Sequence, residues 1–375
     1  MIIAGEASGD HHGQHVVLSM RALDPHLEFR GIGGSGLRQA GVDLFFPASE
    51  LAVVGLTEVL SKTKAIFRGL RRAKAVLEHW RPHLLILIDF PDFNFLVAAA
   101  AKRLNIPILY YVSPQIWAWR TGRVRKIKKL VDHMAVILPF EEAFYRRFGV
   151  PVTYVGHPLL DQLDIASLKS SQEAWRGPGG PVVALLPGSR NGEIMRHLPV
   201  MLKSAISLNS RNKGIRFILP LSPTADPPTV HGLVAKHGKG LDIHISTEGM
   251  GPVLSRSWIA VVASGTATLE TAIYGVPMVI IYKLSPVSYA MGRLLIRVNQ
   301  IGLVNLIAEE RLAPELIQHE ATPSAISRLV QQMIDDKALL SNRRKRLLGV
   351  RHRLGQNGAS QRVADIAFAL ASRNN

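Results

Sequence analysis

The stretch Ile259-Ala-Val-Val-Ala-Ser264-Gly-Thr-Ala-Thr-Leu-Glu270-Thr-Ala-Ile-Tyr-Gly275-Val-Pro277 decides how this chain is read. Five apolar residues give way to Ser-Gly-Thr. A helix-like segment follows with a glutamate in its first turn, and Gly275 and Pro277 stop it. Strand, tight loop of small residues, helix: this is the opening of a βαβ unit. A helix N-terminus offers unsatisfied N–H groups and the positive end of a dipole to an anion. Glu270 cannot itself favour a phosphate, but it can accept hydrogen bonds from sugar hydroxyls. A capping box does not account for it, because the position three residues earlier is Ala267 rather than Ser or Thr. Phosphate on the backbone and ribose on the carboxylate together describe a nucleotide site.

The same alternation recurs outward along the chain. Candidate strands are 1–4, 84–88, 107–112, 134–138, 152–155, 182–186, 215–219, 259–263 and 277–282, each followed by a polar loop and a helical pattern. Strands alternating with helices imply an α/β fold with parallel sheets. His157-Pro-Leu-Leu-Asp161 closes one strand, and Gly177-Pro-Gly-Gly-Pro181 is the densest Gly/Pro cluster. A break near 157–181 therefore separates two α/β halves, with ligands expected in the cleft between them. The tail from about 322 is helical, and Lys337–Arg353 is strongly basic.

The chain has 375 residues, a length that suits two or three domains and large cores. It has no cysteine, which excludes thiol catalysis, thiolate zinc sites and disulfides and fits a reducing compartment. The formal net charge of +17 suits nucleic acid, an anionic membrane surface or a strongly anionic substrate. No apolar run approaches a membrane span, and Met1-Ile-Ile-Ala-Gly reads as a short strand rather than a signal peptide. The expectation is a cytoplasmic protein, soluble or peripheral on a membrane.

Several loops carry candidate chemistry. Gly5-Glu6-Ala-Ser8-Gly9-Asp10 follows the first strand and opens a helix, with small residues that admit close backbone approach. It lacks the dinucleotide spacing. The adjacent His11 and His12 cannot share a helix face, so no metal site is expected there. Asp89 ends the apolar run Leu84–Ile88, where α/β sheets place chemistry. An aspartate there can also cap the next helix. Asp92 and Asn94 lie nearer a helix expected to start around 94–96, which leaves Asp89 available as a general base.

Tyr110-Tyr-Val-Ser-Pro114-Gln-Ile-Trp117-Ala-Trp119-Arg120 places two tryptophans and an arginine after a strand, either as core or as a binding element. Leu185-Leu-Pro-Gly188-Ser189-Arg190 is again a strand-end loop. Gly188 and Ser189 can offer N–H groups, and Arg190 can fork onto a diphosphate. It is not a P-loop. Asn305 sits in an apolar segment with a turn signal. In 51–80, Leu56, Leu60, Phe67 and Leu70 share a helical face with basic residues mostly off it. That pattern suits a helix packed on its sheet or one lying on an anionic bilayer.

These segments, in this order, resemble the lipid-A-disaccharide synthases, bacterial glycosyltransferases of the GT-B type. The matching pieces are Gly5–Asp10, Ile88-Asp-Phe-Pro-Asp-Phe-Asn94, Tyr111-Val-Ser-Pro-Gln-Ile-Trp-Ala-Trp-Arg120, Val155-Gly-His-Pro158, Leu186–Arg190, Ser264–Glu270 and Leu303-Val-Asn-Leu306. The Ser-Pro-x-x-Trp-Ala-Trp-Arg element is highly specific. The glutamate helix is shared with other GT-B enzymes and with nucleotide-sugar epimerases.

The resemblance implies two Rossmann-like domains with parallel sheets facing across a cleft. It divides them into an acceptor and catalytic domain over 1–160, with the C-terminal helix from about 345 to 375 packing back on it, and a UDP-sugar-binding domain over 161–344. It implies transfer from UDP-2,3-diacylglucosamine to 2,3-diacylglucosamine 1-phosphate, giving a β-1,6-linked disaccharide 1-phosphate and UDP. It implies work without a metal or cofactor, on the cytoplasmic face of the inner membrane, with a possible homodimer through C-terminal exchange.

By the same resemblance Asp89 is the base, with Arg190 and Asn305 also in the machinery. Gly188, Ser189, Arg190, Ser264, Gly265, Thr266 and Glu270 hold UDP. Glu6, Ser8, Gly9, Asp10, Trp117 and Arg120 lie on the acceptor side. Leu56, Leu60, Phe67 and Leu70 are the expected membrane contacts. The chain starts almost directly at the first loop motif, so its first strand is expected to be short and the sheet edge there is left open. A UDP-N-acetylglucosamine 2-epimerase or another GT-B transferase is the nearest competitor, and a basic nucleic-acid-binding protein is a remote one.

Overall fold

The computed structural model describes residues 1–51, 59–119, 121–162, 180–284 and 300–372, with the side chains of 59–63 and 119 excepted. Two compact units emerge. One is Met1–Asp161 with Leu354–Asn375, and the other is Gln162–Arg353.

The first unit holds a seven-stranded sheet. Its strands are β1 (Ile2–Ala4), β2 (Arg30–Gly33), β3 (Asp43–Pro47), β4 (Leu85–Ile88), β5 (Ile108–Tyr111), β6 (His133–Val136) and β7 (Val152–Tyr154), in the order β3-β2-β1-β4-β5-β6-β7. Every pairing is parallel. Parallel strands are buried on both faces, which is why β1, β4 and β5 read as unbroken apolar runs. β1 is short, as its sequence suggests, yet it is a central strand, paired with β2 on one side and β4 on the other. Strand order reverses between β1 and β4, and ligands of open α/β sheets bind beyond the strand ends at such a point.

One face of this sheet packs around Leu77, Phe95, Tyr110 and Tyr145. The other packs around Val16, Val17, Leu37 and Tyr111, together with Val363 and Ala367 of the helix Ala359–Ala371. That C-terminal helix is pinned to the unit by polar contacts. Asp161 accepts from the N–H groups of Gly358, Ala359 and Ser360 at its start. Arg362 donates to the Val155, Asn357 and Gln356 carbonyls. The preceding helix, Lys337–Arg353, belongs to the second unit.

The second unit holds six parallel strands. They are β8 (Val182–Leu186), β9 (Arg216–Pro220), β10 (Ile243–Ser246), β11 (Ile259–Ala263), β12 (Met278–Tyr282) and β13 (Glu315–Ile317), in the order β10-β9-β8-β11-β12-β13. All pair in parallel. Its reversal point lies between β8 and β11, so the loops after Leu186 and Ala263 emerge side by side.

Candidate active site

In the first unit the loops after β1, β4 and β5 meet at the carboxyl ends of their strands. Backbone strain concentrates there: Asp89 and Phe90 both have φ of 46°, and Val112 has φ of 60°. Side chains disfavour this left-handed region, most of all β-branched ones, and such residues persist only where surrounding contacts impose them. The imposing contacts are visible. Tyr110 donates its hydroxyl to the Asp89 carbonyl at 2.6 Å, and Asn94 Nδ2 donates to the same carbonyl at 2.6 Å and to that of Ile88 at 3.2 Å. The Asp89 N–H bonds to the Tyr111 carbonyl, and the Val112 N–H to that of Ala135.

The helix after Asp89 begins at Pro91, earlier than its sequence suggests, with Phe90 as N-cap. Neither Asp92 nor Asn94 caps it. Asp92 pairs with Arg123 at 2.8 Å, and Asn94 is the buried anchor of the strained turn. Asp89 itself is half-buried at the strand end.

The Gly5–Asp10 loop divides into two roles. Glu6 is half-buried and Ser8 exposed at the head of the helix Ala7–Leu23, and Gly9 packs against Ile88. Asp10 is buried, and its carboxylate accepts from the N–H groups of Gly34 (2.6 Å), Gly36 (2.8 Å) and Leu37 (3.2 Å). Asp10 therefore ties the loop after β2 to the first helix.

Trp117 is likewise engaged within the unit. Its indole N–H donates to Glu141 at 3.0 Å, and its ring stands edge-on to Phe140. Glu141 is buried, which pushes its carboxyl up to about 7, while the Leu138 N–H and the indole oppose that rise. Arg120 and Leu56 lie outside the described residues, as does the side chain of Leu60. Phe67 is 65% exposed on the helix Val59–Trp80. Leu70 is 8% exposed and packs in the sheet core.

In the second unit, Gly188 has φ of 111°, and a Cβ there would lie 2.4 Å from a Glu193 carboxylate oxygen. Glycine is required on both counts. Glu193 accepts from the Ser189 N–H at 3.2 Å, so that donor is occupied by the protein's own carboxylate. The Arg190 side chain is 71% exposed, with Nη1 4.0 Å from Glu193. His197 steadies this loop from beneath. It is buried, its Nδ1 pairs with the Pro187 carbonyl at 2.9 Å, and its Nε2 accepts from the Lys283 N–H at 3.0 Å. These contacts define one neutral tautomer, and burial lowers its basicity. His197 thus joins the loops after β8 and β12. Nothing in its sequence context signals that role.

Beside it, Ser264, Gly265 and Thr266 lead into the helix Ala267–Ile273. Glu270 sits on that helix, half-buried, and no hydrogen bond or ion pair reaches its carboxylate among the described residues. Burial alone raises it to about 7. A carboxylate held this way is a vacant acceptor, and perturbed groups of this kind gather at functional sites. Asn305 is engaged within its own unit. It is fully buried, Nδ2 donates to the Ala313 carbonyl and to Glu315, and Oδ1 accepts from the Ala313 N–H. Asn305 thereby ties the helix Leu303–Ala308 to Ala313 and to the start of β13.

A family model described as lipid-A-disaccharide synthetase matches residues 1–367. The chain is 47% identical to lipid-A-disaccharide synthase of Geobacter metallireducens, over all of this chain and 97% of that protein. It is 42% identical to the enzyme of the same name from Myxococcus xanthus, over 99% of this chain and 97% of that one.

This chain belongs to the lipid-A-disaccharide synthase family.

It is accordingly a glycosyltransferase that forms the lipid A disaccharide, and the epimerase alternative is not favoured. Among solved structures, it is similar to Acinetobacter baumannii MurG (TM-score 0.61, 14% identity, 98% of each chain). It is also similar to a Neisseria meningitidis UDP-GlcNAc 2-epimerase bound to UDP-GlcNAc (TM-score 0.65, 13% identity, 98% of this chain and 99% of that one). At such identities the likeness speaks to the fold, and it places this lipid-A-disaccharide synthase family member in the GT-B class.

Proposed function

We propose that the second unit holds UDP-2,3-diacylglucosamine by its nucleotide and that the first supplies the proton acceptor for a 2,3-diacylglucosamine 1-phosphate acceptor. The observation that carries this reading is Glu270, a half-buried carboxylate with no partner among the described residues, one turn into the helix that follows Ser264-Gly-Thr. Two ribose hydroxyls supply the donors it lacks. The exposed Arg190 guanidinium, one strand away, provides charge for the diphosphate.

The acceptor 6-hydroxyl attacks the anomeric carbon of the donor sugar, and the bond to the UDP oxygen breaks with its electron pair. Asp89 takes the hydroxyl proton as general base, and UDP leaves as the anion. The negative charge growing on the diphosphate is met by Arg190 and by loop N–H groups. The strain at Asp89 and Phe90 supports a functional turn, since the fold holds it there at a cost.

The net charge of +17, with Phe67 exposed on a basic helix, supports peripheral binding to an anionic bilayer. No described helix is long and apolar enough to cross a membrane. Flotation with anionic vesicles tests the surface: Phe67→Ser should reduce bound protein, and undiminished binding would place the contact elsewhere. Calorimetric titration with UDP tests the nucleotide site. Glu270→Ala should weaken affinity by about tenfold or more, the loss of charge-assisted hydrogen bonds. Unchanged affinity would remove Glu270 from the ribose.

A further inference from the structure

Glu315 opens β13 and is 5% exposed. Its Oε2 accepts from the Ile301 N–H at 2.9 Å. Its Oε1 accepts from the Gly302 N–H at 3.0 Å and from Asn305 Nδ2 at 2.8 Å. Three donors thus converge on one buried carboxylate, an arrangement that rigidifies what it touches.

The peptide joining Ile301 to Gly302 has a second engagement. Its N–H faces Glu315, and its carbonyl accepts from the Ser264 hydroxyl at 3.2 Å. One peptide plane therefore links the buried carboxylate to the first residue of the candidate nucleotide loop. The Ser264 N–H is held separately, on the Ile281 carbonyl at 3.0 Å. With its proton committed to Ile301, the Ser264 hydroxyl presents only acceptor lone pairs to a ligand.

We infer that Glu315 is a positioning residue for nucleotide binding, acting through the Ile301–Gly302 peptide to hold the Ser264 hydroxyl as an acceptor for a ligand N–H or O–H. Asn305 orients Glu315 in this relay, being itself fixed by two bonds to Ala313. The ligand group that meets Ser264 is then a hydrogen-bond donor of the sugar or base rather than a phosphate oxygen. The inference rests on the second unit being the nucleotide site.

Glu315→Gln keeps the shape but replaces one acceptor oxygen by an amide donor, which opposes a loop N–H. UDP affinity should fall about tenfold and the KM for the UDP-sugar donor should rise in step, with the acceptor KM unchanged. Simple loss of folded protein would instead lower kcat with both KM values constant, and that outcome overturns the inference.

Ser264→Ala, at the half-buried end of the relay, removes the hydroxyl with no buried charge disturbed. It should weaken UDP binding several-fold, and the double variant should bind no worse than Glu315→Gln alone. Wild-type UDP affinity in Ser264→Ala, or additive losses in the double variant, contradicts the relay. Glu270→Ala separates the two claims. If it too binds UDP normally, the nucleotide reading fails; if it alone weakens binding, only the relay fails.

Discussion

The ring of Phe90 occupies the space that a side chain on Gly5 would need: a Cβ there would lie 2.4 Å from Phe90 Cδ1 and Cγ and 2.9 Å from its Cβ. This contact locks the end of β1 to the strained turn that carries Asp89. A methyl at residue 5 must therefore displace Phe90, whose backbone is already in the left-handed region. Gly5→Ala is expected to lower turnover by at least about tenfold through misplacement of Asp89. Stability should fall by about 1–3 kcal/mol from overpacking. Steady-state rates beside a urea unfolding curve check both, and UDP affinity should not change.

Glu270 gives a pH signature. Burial raises its carboxyl from 4.5 to about 7 in the ligand-free protein. Hydroxyl donors favour the ionised form, so binding should lower that value and expel a proton. UDP affinity should then rise with pH by up to about tenfold per unit as pH approaches 7, and level off above it. Calorimetry in buffers of different ionisation enthalpy reports the proton directly. Titration of the diphosphate is subtracted with Glu270→Gln, which should lack the Glu270 contribution. For the ligand-free unit the sign is opposite: a raised carboxyl contributes stability at low pH that is lost as pH climbs from 4.5 through 7.

His157 sets an acid limit on the first unit. It is buried, which lowers it from 6.5 to about 3, and its Nδ1 accepts from the Leu159 N–H. Its own N–H bonds to the Leu354 carbonyl, where the chain returns to this unit. A depressed histidine binds its proton more readily in the unfolded chain. Its contribution is thus present above about 6.5 and lost as pH falls toward 3. Between pH 7.5 and 5.5 the loss is about 1.4 kcal/mol. Urea unfolding of the full chain at both values, compared with His157→Gln, should show a steeper acid decline for the wild type by that amount.

The strands most legible in the sequence are those buried on both faces. β4, β5, β8, β11 and β12 each match an apolar run, because burial from both sides demands it. β2, β3, β10 and β13 were not legible. Arg-Gly-Ile-Gly, Asp-Leu-Phe-Phe-Pro, Ile-His-Ile-Ser and Glu-Leu-Ile are short and mix polar or glycine residues into the run, and three of them (β3, β10 and β13) are edge strands that water reaches.

The site shows the same division. Gly188, Glu270 and Asp89 stand at strand-end loops whose position follows from the strand pattern, so their place in the fold is legible in the sequence. Asp10, Asn305 and Trp117 carry the right residue types in the right motifs. Their partners (Gly34, Glu315 and Glu141) lie on other elements, so only the fold reveals that they brace the site. Glu315 and His197 carry no local signal at all.

The proposed division of labour puts the proton acceptor at Asp89 and the nucleotide on the second unit. Turnover and UDP affinity measured together on Asp89→Asn test it most directly. Turnover should fall by about 10²–10⁴-fold, the range for removing a general base, while the UDP Kd stays within about twofold of wild type. Retained turnover, or a loss of UDP affinity in proportion to the loss of rate, would contradict it.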